Sequence, residues 1–378
     1  MESISRRHFG KLAAASAASA VAAVALAGCT SPKTQPAASS TQPAAQPAAA
    51  PAGVPVAAKV ADAKRVVGTV TTTVNLSSYP AGQAARVWLP IARDFDYQAI
   101  DTIQFSAPSA KVAEVNQDAE GNKMLYVEWA ADADPASRTV EMSFHANRVE
   151  RQRPNIVDDG KALPSSLDAF LTGSKLVPIN DQVVEAAKEI VGDRQSGLEK
   201  AYAIYQWIIE NMNRDEGVEG CGQGDVCALL STKSGKCTDI NSVFVGLCRA
   251  VGVPAREQFG VRMNADKITG NQHCWCEFYV SGTGWVSADA ADVLKAVLKG
   301  GWTKDAPETK EKADFFWGSL DAQRVQLSFG RDVTLAPAHT GEPLNYFGYP
   351  YGEVDGSALD YYDPENFSYA MTFKADEA

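Results

Sequence analysis

The chain has 378 residues, of which 45% are hydrophobic and 21% charged, and its formal net charge at pH 7 is -11. This length allows two domains, or one large domain with appendages. The acidity argues against nucleic acid and bare anionic membrane as partners, because both repel a negatively charged surface. We therefore expect no nucleic-acid binding.

The first 28 residues have the features of a bacterial export signal. Residues 5–9, Ser-Arg-Arg-His-Phe, followed by Lys11, match a twin-arginine signal, and an alanine-rich apolar run covers residues 12–27. The run is short for a membrane-spanning helix, and it ends in Leu-Ala-Gly before Cys29, the pattern of a lipoprotein cleavage site. The sequence thus predicts export by the twin-arginine machinery and a mature chain that begins at a diacylated Cys29. A plain N-terminal anchor helix is the alternative.

The predicted lipid would hold the protein on a membrane face outside the cytoplasm. Two acyl chains suffice for stable attachment, whereas one binds only marginally. Thr30 stands where an Asp retains some lipoproteins at the inner membrane, so we expect a periplasm-facing protein at the outer membrane. Residues 29–60 are rich in Pro, Ala, Gln, Ser and Thr, a composition that favours extended, semi-rigid spacing. They form a predicted linker between the lipid and the body.

Between residues 61 and 153 the hydrophobic pattern has a period of two, which indicates half-buried antiparallel strands. The clearest strands lie at residues 70–76, 87–91 and 140–146. Turn-rich breaks at 79–82 and 120–122 separate the runs. The pattern predicts an N-terminal β-sandwich domain of Ig-like character.

Beyond residue 153 the spacing of apolar residues becomes helical, with helices expected at about 181–191 and 198–212. These helices indicate a second domain, at 154–300. The overall fold class is therefore α+β.

A further helix is predicted from Cys237 to about Val251, ended by Gly252 with Pro254 just beyond. Cys237 then lies at the helix start, on a face shared with Asn241. The unpaired N–H groups and the helix dipole at this end stabilise a thiolate and, later, an oxyanion. A buried structural cysteine is the alternative interpretation.

His273 lies on an alternating strand at 272–280, on the face opposite to Cys274 and Cys276. After a Gly-rich turn, a second strand runs to Asp289. A three-residue loop would pair Asp289 with Trp275 and set it diagonal to His273, within side-chain reach. A thiol, an imidazole and a carboxylate are the groups that acyl transfer through a cysteine requires.

These segments resemble the transglutaminase-like core. The matching residues are Gly-Lys-Cys-Thr-Asp at 235–239, Arg-Ala at 249–250, Gly-Val-Pro-Ala-Arg at 252–256, His273, Trp275, Glu277, Gly-Trp at 284–285 and Asp289. The resemblance implies a papain-like arrangement in which a cysteine at a helix start faces a histidine and an aspartate on neighbouring strands. The roles it implies are nucleophile for Cys237, general base and acid for His273, and orienting carboxylate for Asp289.

The resulting hypothesis is an exported cysteine hydrolase, a peptidase or amidase, that cleaves amide bonds of envelope protein or peptide through a thioester. The Cys237 backbone N–H would hold the oxyanion, with Gln223 as a candidate second donor. A lysine amine in place of water would instead give protein-glutamine crosslinking. A non-catalytic envelope binding module is a further alternative. No cofactor is expected.

Five cysteines remain outside the predicted lipid site and nucleophile. Cys221 and Cys227, close together in a Gly-rich loop, are the simplest disulfide pair in an oxidising compartment. A metal site built from these two with Cys274 and Cys276 lacks the two-residue gap typical of zinc ligands, so none is expected. Residues 301–378 resemble the tail of exported members of the group, and their aromatic side chains are predicted to clamp this extension onto the core.

Overall fold

A computed structural model describes residues 63–153 and 155–377. The predicted export signal, Cys29 and the linker at 29–60 lie outside the described residues. Within the described ranges the fold is mixed α and β with antiparallel sheets, which confirms the predicted class at that level. None of the helices there combines the length and the apolar character needed to cross a bilayer.

The N-terminal part is a series of strands, and buried and more exposed side chains alternate along the first and the last of them. The strands are β1 (Arg65–Asn75), β2 (Ala85–Ile91), β3 (Gln98–Ser106), β4 (Val112–Gln117), β5 (Lys123–Trp129) and β6 (Thr139–Val149). The predictions of β1, β2 and β6 are confirmed. The sequence analysis missed β3 and β4, which are mostly exposed, and β5, which is buried on both faces.

The second part combines helices with a four-stranded sheet. Its elements are α1 (Asp181–Val191), α2 (Gly197–Asn211), β7 (Asn213–Arg214), α3 (Val226–Thr232), β8 (Ser234–Gly235), α4 (Cys237–Ala250), β9 (Ala255–Arg262), β10 (Gln272–Val280), β11 (Gly284–Ala288), α5 (Ala290–Gly300), α6 (Pro307–Phe316) and β12 (Arg324–Phe329). The predicted helices α1, α2 and α4 are confirmed. Asn180 and Ser196 begin the first two, because their side chains accept hydrogen bonds from backbone N–H groups of the first turn.

The central sheet has the order β11-β10-β9-β12, and all of its neighbours are antiparallel. Helix α4 packs against it, and every residue from Cys237 to Cys248 is buried. Tyr205, Phe244 and Phe278 belong to the same apolar core, which joins α2, α4 and β10. A helix buried all round needs tertiary contacts on every face, so α4 is held rigidly at both ends.

The C-terminal segment completes the N-terminal sheets. Its strands are β13 (Tyr351–Val354), β14 (Ser357–Ala358) and β15 (Ser368–Ala375). One sheet has the order β15-β1-β6-β3 and the other β14-β13-β2-β5-β4. The apolar core between these sheets also includes Val261 of β9 and Val325 of β12. The Ig-like character of these sheets and the predicted domain boundaries stay predictions.

Candidate active site

Helix α4 begins at Cys237 because the side chain of Asp239 caps its first turn. One oxygen, Asp239 Oδ2, accepts from the Lys236 N–H at 2.9 Å, and Oδ1 accepts from the Gly224 N–H at 2.8 Å. Position 222 requires glycine, since it has φ +88° and a Cβ there would lie 2.0 Å from Asp239 Oδ2. The cap thus joins the helix to the loop at 220–224. It leaves Cys237 as the first helical residue, whose N–H has no acceptor within the helix.

A hairpin brings Asp289 to His273. Strands β10 and β11 are joined by a loop of three residues, 281–283, and Cys276 pairs with Ala288. This register sets position 289 diagonal to His273. The second strand ends at Ala288, one residue earlier than predicted, and Asp289 is instead the N-cap of α5. Its Oδ2 accepts from His273 Nε2 at 2.7 Å.

Three groups near the Cys237 sulfur favour its thiolate form, namely the His273 imidazole and the thiols of Cys221 and Cys274. These two thiols contribute most to lowering the pKa of Cys237 well below its ordinary value, and His273 adds to the effect against the opposing effect of burial. Burial and Arg262 disfavour the protonated imidazole, but Asp292 and Asp289 outweigh them and raise the pKa of His273. Both shifts favour a thiolate–imidazolium pair, the reactive form of a cysteine nucleophile.

A buried ion-pair network behind His273 was not predicted from the sequence. Arg324 donates from Nη1 to Asp289 Oδ2 at 2.6 Å and from Nη2 to Asp292 Oδ2 at 2.8 Å. Arg262 donates to both oxygens of Asp292, at 2.6 and 2.5 Å. Asp292 Oδ1 lies 3.7 Å from His273 Nε2. The only sequence signal is the position of Asp292 one helical turn after Asp289.

Two further polar residues complete the surroundings of Cys237. Asn241 lies one turn along α4 on the same face, as predicted, and its Nδ2 donates to Asp289 Oδ1 at 3.2 Å and to the Cys274 carbonyl at 3.0 Å. The Arg214 guanidinium is near enough to the Cys237 sulfur for the thiolate to raise the pKa of Arg214, and it also binds Glu216, with Nη2 3.1 Å from Oε2. A cation beside the sulfur favours the thiolate.

His273, Asp289 and Asp292 also present ligand atoms within 4.8 Å of one another, a spacing that a metal ion could use. The carboxylate oxygens are, however, already occupied by the guanidinium groups of Arg324 and Arg262. These two buried guanidinium groups would repel a metal cation. The three side chains therefore fit an ion-pair network rather than a metal centre.

The predicted disulfide between Cys221 and Cys227 is not formed, and both residues are free thiols. Their sulfurs face different neighbours. Cys221 Sγ lies 3.4 Å from the Gln272 carbonyl oxygen, beside Cys237, whereas Cys227 Sγ accepts from Asn180 Nδ2 at 3.2 Å. The reason is local: α3 begins directly after Asp225, so Cys227 is in its first turn and is directed toward α1.

The loop at 220–224 is held by the C-terminal tail. Tyr346 donates to the Gly222 carbonyl at 3.1 Å, and Tyr349 donates to Cys221 Sγ at 3.3 Å. Gln223, the candidate second oxyanion donor, is exposed, and its Oε1 accepts from Asn345 Nδ2 at 3.2 Å. Its role stays a prediction.

Residues 184–290 match the family model of the transglutaminase-like superfamily. An uncharacterised protein of Haemophilus influenzae is 34% identical over 315 residues, which cover 76% of this chain and 85% of the relative. Among solved structures, a candidate cysteine protease from Cytophaga hutchinsonii is 17% identical, with 83% of this chain and 98% of that chain covered and a TM-score of 0.48. The periplasmic domain of TgpA from Pseudomonas aeruginosa is 15% identical, with 62% and 91% covered and a TM-score of 0.34.

Proposed function

Because the chain belongs to the transglutaminase-like superfamily, we propose that it is a cysteine hydrolase, a peptidase or amidase that works through a thioester. The superfamily resemblance inferred from the sequence is confirmed. The observation that carries the proposed activity is the grouping of three residues. Cys237 lies at the N-terminus of a buried helix, His273 lowers the pKa of its thiol, and Asp289 Oδ2 accepts from His273 Nε2 at 2.7 Å.

The roles follow from the contacts. Asp289 accepts a hydrogen bond from His273 Nε2, so Nδ1 is the ring nitrogen that can interact with the Cys237 sulfur. In the first step the Cys237 thiolate attacks the carbonyl carbon of an amide, and the C–S bond forms as the carbonyl π electrons move to oxygen. The Cys237 N–H and the positive end of the α4 dipole stabilise this oxyanion. Collapse expels the amine, which takes the proton from His273, and a thioester remains.

The second step regenerates the thiol. His273, now neutral, removes a proton from water as the water attacks the thioester, and it returns the proton to the departing sulfur. A carboxylic acid is the product. If a lysine amine replaced water, the same thioester would give an isopeptide bond. Water needs no second binding site, and for this reason we propose hydrolysis.

We further propose that the enzyme acts on protein or peptide in the cell envelope as a lipoprotein. The support is the sequence pattern of residues 1–29, which lie outside the described residues. Mass analysis of the N-terminal peptide from the native host tests this proposal, because a diacylated Cys29 is expected at the mature terminus. An unmodified chain that retains residues 1–28 would contradict it.

The proposed nucleophile is tested by the rate of iodoacetamide labelling at each cysteine against pH, measured by peptide mapping of the full-length protein. We expect fast labelling of Cys237 well below the pKa of about 8.5 of a free thiol. In His273→Ala the fast phase should be lost. Cys248 is the internal control, because burial raises the pKa of its thiol well above the usual range.

Slow labelling of Cys237, equal in the parent and in His273→Ala, would favour the alternative of a non-catalytic envelope binding module. Hydrolysis and crosslinking are separated by incubating a glutamine peptide with excess lysine methyl ester. A free acid is the expected product, whereas a stable amine adduct would favour the acyltransferase.

A further inference from the structure

Three buried cysteines lie near the start of α4. Cys221, Cys237 and Cys274 are 5%, 3% and 0% exposed, and the thiols of Cys221 and Cys274 both lower the pKa of Cys237. Cys237 Sγ lies 3.9 Å from the Cys221 carbonyl oxygen, which also accepts from the Thr238 N–H at 2.9 Å. The backbones at 221 and 237 are therefore adjacent, as a disulfide requires.

We propose that this cluster is a redox-modification site, in which Cys221 is a resolving cysteine that captures peroxide-oxidised Cys237 as a Cys221–Cys237 disulfide. The mechanism proposed above does not use the Cys221 side chain, so the inference assigns it a separate role. It requires only that Cys237 is a thiolate and not that the protein turns over a substrate.

The chemistry is balanced with a hydroperoxide as the oxidant. The Cys237 thiolate attacks one peroxide oxygen, the O–O bond breaks, and after protonation an alcohol or water leaves while the sulfur becomes a sulfenic acid. The Cys221 sulfur then attacks the sulfenic sulfur. The S–O bond breaks, hydroxide leaves with the thiol proton as water, and the disulfide forms. A thiol reductant reduces this disulfide again by thiol–disulfide exchange.

Cys221 is better placed than Cys274 to close such a bond. It lies in the loop at 220–224, outside the sheets, and its carbonyl oxygen is 3.9 Å from Cys237 Sγ. Cys274 is instead in the middle of β10, where it pairs with Phe259, and its carbonyl accepts from Asn241. Movement of Cys274 would break the central sheet.

The Cys221 thiol is also oriented before any reaction. Tyr349 donates to its sulfur, and the Gln272 carbonyl oxygen lies 3.4 Å away. These two contacts fix the position of the Cys221 sulfur. A serine at position 221 can keep both contacts but cannot form a disulfide, which makes Cys221→Ser a conservative test variant.

The test is hydrogen peroxide titration of the full-length protein, followed by alkylation and peptide mapping without reductant. In the parent we expect a peptide pair linked through Cys221 and Cys237 that disappears with dithiothreitol. In Cys221→Ser we expect Cys237 to proceed to sulfinic and sulfonic acids that dithiothreitol does not reverse. Cys227→Ser is the matched control, because the Cys227 sulfur faces Asn180 rather than Cys237, and this variant should form the same disulfide as the parent.

A parent disulfide between Cys237 and Cys274, or overoxidation of Cys237 with no disulfide, would overturn the assignment of Cys221. Cys237 that resists peroxide would also overturn it. In that case iodoacetamide labelling separates the two proposals. Fast labelling of Cys237 would leave the proposed function standing, whereas slow labelling would contradict the thiolate and the proposed function with it. The parent needs no substitution, so the result does not depend on whether Cys221→Ser folds.

Discussion

Arg324 and His273 bind the same oxygen atom of Asp289. Arg324 Nη1 lies 2.6 Å from Asp289 Oδ2, and His273 Nε2 lies 2.7 Å from it. The arginine side chain is fully buried and also holds Asp292 and Asp321. The carboxylate that orients the imidazole is therefore fixed by a cation on a different strand, which makes Arg324 a positioning residue in the proposed mechanism.

Replacement of Arg324 should destabilise the fold strongly. Arg324→Gln leaves Asp289 and Asp292 buried without this partner, and loss of one partner from a buried ion pair typically costs about 3–5 kcal/mol. Arg324→Lys keeps the charge but cannot bridge two carboxylates, so a smaller loss is expected. Urea unfolding measures both. Arg65→Gln is the control, because the exposed Arg65 side chain donates to Asn147, and a change within about 0.5 kcal/mol is expected. Equal stability of Arg324→Gln and Arg65→Gln would contradict the buried ion pairs of Arg324 as a source of stability.

Replacement of either aspartate near His273 should lower the pKa of the imidazole. Both raise the pKa of the imidazole, so Asp289→Asn and Asp292→Asn should each lower it. Because the reactive pair needs a protonated ring, its upper pH limit should move to lower pH in both variants. An NMR titration of the ring signal that is missing in His273→Ala measures this shift without a substrate.

Only Asp289→Asn should also remove the orienting hydrogen bond to Nε2. Its rate on any substrate identified for the parent should fall by about 10² or more, whereas Asp292→Asn should retain most of the maximal rate. Equal rate losses in the two variants would argue that Asp289 acts through charge alone.

Local patterns in the sequence predicted much of this site. The apolar face of α4 and the stop at Gly252 predicted the ends of the helix that carries Cys237 to within one residue. The alternation along β10 predicted that His273 and Cys274 lie on opposite faces of the strand. Both elements depend on contacts within about fifteen residues of chain. The order of cysteine, histidine and aspartate then indicated which side chains meet.

The strands that local patterns did not predict are defined by pairing between distant parts of the chain. All six residues of β12 are buried, so no alternation of polar and apolar residues marks this strand. Its register on β9 pairs Arg324 with Arg262, and this places both guanidinium groups at Asp292. β15 likewise lies beside β1 although about 300 residues separate the paired positions, for instance Thr72 from Met371. Such pairings follow from the tertiary fold rather than from any local pattern.

The cap at the start of α4 should control both stability and the reactivity of Cys237. Asp239→Ala removes the acceptor for the N–H groups of Lys236 and Gly224, and we expect a loss of about 1–2 kcal/mol. Asp239→Asn keeps an acceptor oxygen and should lose less. Urea unfolding measures the stability, and iodoacetamide labelling reports whether Cys237 is displaced. Unchanged stability together with unchanged labelling of Cys237 in Asp239→Ala would contradict the role of the cap.

Glu277 should make the fold sensitive to acid. Burial opposes its charge, but Arg256 and Arg151 outweigh burial and lower the pKa of Glu277 to about 2. A carboxyl group whose pKa is lower in the folded state stabilises the protein above its unfolded pKa of about 4.3, and this contribution disappears as the pH falls toward 2. The loss in this window should approach about 3 kcal/mol.

The free energy of unfolding of Glu277→Gln should therefore depend less on pH between about 4.3 and 2 than that of the parent. Urea unfolding at a series of pH values measures this slope. Asp314→Asn is the control, because Asp314 forms a solvent-exposed pair with Lys310 at 3.2 Å, and such pairs contribute about 0–1 kcal/mol. If Glu277→Gln had the same acid slope as the parent, the two arginines would not be holding a charged carboxylate in the folded state.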